Sequence, residues 1–293
     1  MNQFVRLHRA MGGARVVLQK AALALFFAAS LAQAAPIDIT VMTRNVYFGA
    51  NLAPLLLAQN LDEVEAAVSS IWDAAVASDP VARMSRIAQE ITLANPHVVG
   101  LQEAVLWQVN FVPQFGGPFY EILDALLPNH SVQLISPNGS NTLPGADDRI
   151  YTLADFDAIL VRDDVTLLNT FTDQFDAVLG FPLLGSNVLL PRSYGYVDVE
   201  IDGFRTRVFN THTEALFGPI NELQGNELIS AMNASPYPVI ALGDFNPITE
   251  LFTTNIYANI IDAGFRDSWA ELKNLDTDPG FTWRNDPFLN DPN

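Results

Sequence analysis

Four stretches of apolar sequence each end on side chains that can hold a cation or a phosphate. Residues 37–45 run out at the amide of Asn45, and residues 97–103 at the carboxylate of Glu103. Residues 207–212 run out at Asn210 and the imidazole of His212, and residues 238–246 at Asp244 and Asn246. Polar groups released together from the ends of buried strands suit an active site at a sheet edge, because the sheet fixes their spacing while the tips stay wet. The last stretch is the most specific. Gly243 lets the chain turn sharply off the strand, Asp244 and Asn246 point the same way at alternate positions, and Pro247 stops the strand. A carboxylate and an amide so spaced can orient a water and donate a hydrogen bond to one phosphoryl oxygen. Each piece alone has a plainer reading: an Asx turn for Asp244, a helix-start charge for Glu103, a structural imidazole for His212. Their combination points to an enzyme.

The chain contains no cysteine, which excludes thiol catalysis and thiolate metal sites and leaves hard-ligand metal chemistry or histidine chemistry. Its first acidic residue is Asp38; before it come Arg6, Arg9, Arg15 and Lys20, an apolar run over residues 21–32 and the small-x-small sequence Ala32-Gln33-Ala34. This is the pattern of a signal peptide over residues 1–34, cut near Ala34, and it places residues 35–293 outside the cytoplasm as a secreted or periplasmic domain. The apolar run is a dozen residues, short of the roughly 20 a spanning helix needs. Cleavage removes four positive charges and no negative ones, which takes the formal charge from −18 to −22. So acidic a protein repels polyanions unless metal ions intervene. Duplex nucleic acid is therefore disfavoured as a substrate relative to a small or membrane-lipid phosphate ester, and no protein partner is evident.

The elements that must position these residues alternate between strand and helix patterns. Ile37, Ile39 and Val41 alternate with polar residues as in a half-buried strand. Asp79-Pro80 starts a helix whose apolar face is Val81, Met84, Ile87, Ala88 and Ile91, and Asn95-Pro96 stops it. Residues 52–76 read as helix or an inserted cap, 120–127 as a short helix, 131–135 as a strand and 136–146, rich in Asn, Gly, Pro and Ser, as an exposed loop. Residues 156–162 and 165–171 read as paired strands, and Asp202-Gly203 joins two more in a hairpin. Residues 221–232 suggest a helix before the strand that leads to Asp244. Hairpins mixed with βα units favour an α/β sandwich over an all-parallel sheet.

Taken in order, Thr43-Arg44-Asn45, Gly100-Leu101-Gln102-Glu103, Asn210-Thr211-His212, Gly243-Asp244-Phe245-Asn246 and Asp267-Ser268-Trp269 resemble the endonuclease/exonuclease/phosphatase, or DNase I-like, superfamily. The resemblance implies a four-layer α/β sandwich, two packed mixed sheets flanked by helices, and metal-dependent hydrolysis of a phosphodiester or phosphomonoester. It implies Glu103 as the main ligand of Mg²⁺ (or Mn²⁺) with Asn45 nearby, and Asp244 as the group that orients or deprotonates the attacking water. His212 and Asn246 would donate hydrogen bonds to the phosphoryl oxygens, with Asn210 and Asp267 binding substrate. Asp267 equally fits a residue that only pins a loop. The superfamily closes on an Arg-Ile-Asp-Tyr-like strand and an Asp-His pair, and this sequence has neither. The expectation is a domain incomplete at its C-terminus. The alternative function is a catalytically inactive remnant or a secreted metal- or phosphate-binding protein.

Overall fold

The structure is a computed structural model that describes residues 37–183, 186–247 and 253–274. The expected signal peptide and the segment after Asn274 lie outside the described residues. Strand β1 (Val41–Asn45) pairs in parallel with β2 (Val98–Gln102), and β2 pairs antiparallel with β6 (Ile150–Arg162). β6 also carries β3 (Leu106–Val109) and the long β5 (His130–Pro144), and β4 (Val112–Pro113) continues from β3. The second sheet runs in the order β12 (Val239–Asp244), β11 (Phe204–His212), β10 (Ser193–Ile201), β7 (Thr166–Gln174). In it β11 and β12 are parallel and the other pairs antiparallel. A small separate hairpin joins β8 (Leu179–Leu183) to β9 (Ser186–Leu190).

The two sheets pack face to face. Val98, Ile159 and Val161 of the first meet Val197, Val199, Val208 and Leu242 of the second. Helices cover the outer faces; the described residues also include two short helices, α1 (Ala53–Leu57) and α6 (Ile256–Asp262). Ile71 and Trp72 of α2 (Leu61–Ala77) and Met84, Ile87 and Ile91 of α3 (Pro80–Ala94) lie over Val99, Leu101 and Leu160, as does Leu123 of α4 (Phe119–Leu126). Leu228 and Met232 of α5 (Gly218–Asn233) pack on Phe209 from the other side. The result is the expected four-layer sandwich. The sequence specifies its helix ends as well. Asn60 caps α2 by accepting from Glu63 N at 3.0 Å, and Asp79 caps α3 by accepting from Ala82 N with Pro80 in the first turn. Among the described residues no helix is long and apolar enough to cross a membrane.

Three expectations change. Residues 136–144 are not an exposed loop but the second half of β5, paired along β6 out to Pro144↔Ile150; inter-strand pairing overrides the Asn, Gly and Pro content. The segments expected to pair with one another instead enter different sheets, 156–162 in β6 and 166–171 in β7, which pairs with β10. On α3, Val81 faces solvent and Arg83 is buried, so one guanidinium lies on the stripe that meets the core.

A polar seam joins the sheets. Gln102 Nε2 donates to Asn210 Oδ1 at 2.6 Å, and Gly243 N donates to Thr43 Oγ1 at 3.1 Å. Gly100 is required beside it, because a Cβ there would stand 2.5 Å from Asn210 Oδ1.

Candidate active site

The strand tips converge as their spacing suggested. Parallel pairing sets Asn45 opposite Gln102 and His212 opposite Asp244, so the tips of β1, β2, β11 and β12 end at a common rim. Asn45 ties the two sheets together there: its Nδ2 donates to Glu103 Oε1 at 2.8 Å and to Asp244 Oδ2 at 3.0 Å. Its Oδ1 accepts from Tyr47 N at 2.9 Å, which folds the following loop back over the tip. Glu103 Oε2 accepts from Phe48 N at 2.8 Å. Three residues of this rim, Tyr47 (φ 60°), Glu103 (φ 56°) and Asn246 (φ 43°), hold left-handed backbone. Such strain costs roughly 1–3 kcal/mol per residue and persists where surrounding contacts impose it. Gly243, at φ 153° with Thr211 O 2.5 Å from any added Cβ, turns the chain so that Asp244 faces the rim.

Burial is the chief influence on the titratable groups. It pushes the Glu103 carboxyl up to about 7 against the opposing hydrogen bonds from Asn45 and Phe48, with Asp155 and Asp244 adding to the rise. Burial, and next the charge of Arg192, hold His212 well below the ordinary imidazole range. Asp157 is raised by burial and then by Asp155, and neither of its carboxylate oxygens finds a hydrogen-bond partner among the described residues.

Glu103, Asn45 and Asp244 are thus hydrogen-bonded together, while His212 lies beside Asp244 in strand register with its ring against Arg192. Asn246 joins them from the side: its Nδ2 donates to Thr213 O at 2.9 Å and its N to Asp244 Oδ1 at 3.3 Å. Two expected substrate ligands do different work. Asn210 Nδ2 donates to Leu101 O at 2.9 Å and Ala158 O at 3.1 Å while Oδ1 accepts from Gln102. All its polar atoms are engaged inside the protein, and it staples the second sheet to the first. Asp267 caps α7 (Ser268–Leu272), accepting from Trp269 N at 2.8 Å and from the Tyr257 hydroxyl at 3.1 Å. It pins a loop. Asn210→Ala is expected to take a hydrogen bond from each of three buried groups, Leu101 O, Ala158 O and Gln102 Nε2, and to lower stability by roughly 2–4 kcal/mol, read by urea denaturation, with KM changed less than about threefold. A large rise in KM at unchanged stability would restore Asn210 as a substrate ligand.

Two kinds of residue escaped the reading of the sequence. Arg83 donates from Nε to Val46 O at 3.1 Å and from Nη2 to Tyr47 O at 2.7 Å, pinning the loop that covers Glu103. Its guanidinium is held at about 10 by burial. Its signal was its place on the apolar stripe of α3. Asp155 and Asp157 come from the middle of β6, where two acids at alternate positions within an apolar run were the available sign, and Arg192 follows β9 with none.

Any metal here must suit this donor set. Among the described residues no three His, Asp or Glu side chains converge as ligands, so these residues do not by themselves form a cage. Oxygen donors from one or two carboxylates match an ion that keeps most of its waters, as Mg²⁺ does. A buried Glu103 beside two further acids and a neutral amide is a local excess of negative charge that a divalent cation would balance. The residues fit.

Residues 45–246 match the model of the endonuclease/exonuclease/phosphatase family. Among curated protein sequences none matches significantly. Among solved structures the chain is similar to the human Nocturnin catalytic domain with bound sulfate, at 17% identity and TM-score 0.49 over 81% of this chain and 74% of that one. It is also similar to a mannosyl-6-phosphatase of Bacteroides thetaiotaomicron, at 16% identity and TM-score 0.45 over 76% and 70%. A third similar structure is D. rerio TDP2 complexed with single-strand DNA product, at 15% identity and TM-score 0.45 over 80% and 70%. The family match spans more than half of the 293 residues and includes every strand tip of the rim; the chain belongs to the endonuclease/exonuclease/phosphatase family.

Proposed function

We propose that this protein is a secreted, Mg²⁺- or Mn²⁺-dependent phosphoesterase that hydrolyses phosphodiesters of small or lipid head-group type in preference to duplex DNA. The observation that carries the reading is the single amide of Asn45 joining the carboxylates of Glu103 and Asp244, with His212 in register beside Asp244. Glu103 and Asn45 would hold the cation, which when bound supplies charge to polarise the phosphoryl oxygens and the leaving oxygen. Asp244 orients the attacking water and takes its proton as the new P–O bond forms. The departing oxygen draws its proton from solvent as the old P–O bond breaks. His212 and Asn246 offer N–H groups to the non-bridging oxygens as charge accumulates there. The substrate preference follows from the −18 formal charge of the chain, four positive charges of which lie in the expected leader.

EDTA is expected to abolish hydrolysis and Mg²⁺ or Mn²⁺ to restore it, measured on a chromogenic phosphodiester, a short-chain phospholipid and plasmid DNA in parallel. Full turnover in EDTA would refute the metal assignment. Faster cleavage of plasmid than of the other two would refute the charge argument for substrate.

A further inference from the structure

His212 has one hydrogen-bonding contact among the described residues, Arg192 Nη1 at 3.3 Å from Nδ1. The identity of that partner settles the ring's proton. A guanidinium carries only donors and stays protonated in proteins, so Nδ1 must present its lone pair to Arg192. The proton of the uncharged ring then sits on Nε2, the nitrogen that Arg192 leaves free. A carboxylate at the same place would instead hold a proton on Nδ1 and make the ring a proton carrier.

Arg192 is itself fixed. Nη1 also donates to Asp155 Oδ2 at 2.9 Å, and Asn138 Nδ2 approaches the same oxygen at 3.3 Å. Asn138 Oδ1 in turn accepts from Ser193 Oγ at 2.6 Å. The chain Ser193, Asn138, Asp155, Arg192 therefore ends at the imidazole. It draws on β5, β6 and the start of β10, so both sheets hold the arginine in place.

We propose that Arg192, clamped by Asp155, is a positioning residue that fixes His212 as its Nε2–H tautomer, so that the imidazole donates to a phosphoryl oxygen and does not carry protons. The donor role rests on the phosphoesterase reading above; the tautomer does not. Proton transfer from water is then left to Asp244.

The folded protein labelled with ¹⁵N in histidine tests this without substrate, the His212 signals being assigned by their loss in His212→Gln. Two-bond ¹H–¹⁵N correlation is expected to show an unprotonated Nδ1 and a protonated Nε2 near neutral pH. A protonated Nδ1, alone or in a doubly protonated ring, would overturn the proposal. Arg192→Met should give a mixture of tautomers. If that variant lacks a cooperative melt, Asp155→Asn, which loosens the clamp, is read the same way, and an unchanged pure Nε2–H ring in the folded variant would again overturn the proposal. On the chromogenic diester with Mg²⁺, Arg192→Met is expected to lower kcat by about 10–100-fold, with Arg192→Lys recovering part. In a His212→Ala background the same change should cost almost nothing, because a residue acting through another loses its effect when that other is gone. Additive losses would overturn the positioning role. A wild type with the expected tautomer but no turnover would refute the phosphoesterase reading and leave the clamp standing.

Discussion

Glu103→Gln is expected to lower Mg²⁺-dependent hydrolysis by about 10³-fold, since the cation's contribution is worth several kcal/mol and this carboxylate is proposed as its principal protein ligand. The same change should also remove the pH dependence that this carboxyl gives the fold, although the amide must turn its NH₂ toward either Asn45 Nδ2 or Phe48 N. In the metal-free state burial holds the Glu103 carboxyl at about 7, raised from 4.5. Folded protein therefore keeps a proton that unfolded chain releases. The stabilisation this gives is complete below pH 4.5 and is lost as pH rises through 7, a change of about 3 kcal/mol. In EDTA the melting temperature of the wild type should thus fall between pH 5 and 7.5 by roughly 6–12 °C more than that of Glu103→Gln. Mg²⁺ at pH 7.5 should restore the wild type and leave the variant unchanged. Identical pH profiles in EDTA, and no response of either protein to Mg²⁺, would remove Glu103 from the metal site.

Asp244→Asn should be the other large loss. Its two oxygens accept from Asn246 N at 3.3 Å and Asn45 Nδ2 at 3.0 Å. An asparagine keeps the shape but must turn its NH₂ toward one of these donors, and it cannot take a proton from water. A positioned general base contributes about 10²–10⁴ in rate, so kcat on the chromogenic diester is expected to fall within that range while KM moves little. The melting temperature checks that the fold survives. A loss below about fivefold would exclude Asp244 from proton transfer.

The positions of Asn45, Glu103, His212 and Asp244 were legible in the sequence because a buried strand reads as an apolar run and its last residue must emerge where the run stops. Parallel neighbours then bring such ends together, as the Asn45↔Gln102 and His212↔Asp244 registers do. What each tip residue bonds was not legible. Asn210 and His212 stand two apart on one strand, yet Asn210 points into the seam and His212 meets Arg192. That division depends on the other sheet, which local sequence does not encode. Arg192 and Asp155 lie 37 residues apart and meet only after both sheets form. The misreading of 136–144 has a similar cause, since the partner strand that makes it regular is supplied by residues 150–157.

The bond from Asn45 to Asp244 closes a span of 199 residues, and that from Thr43 to Gly243 one of 200. Bringing such distant points together costs roughly 5 kcal/mol of chain entropy before any contact repays it. The two halves of the rim therefore come together late in folding, after each sheet has formed from its nearer neighbours. A metal site at Glu103 and Asn45, whose amide is held from the other sheet by Asp244, would then report the completed chain and no earlier species. In refolding experiments, Mg²⁺ added to the buffer should slow unfolding while leaving the folding rate unchanged.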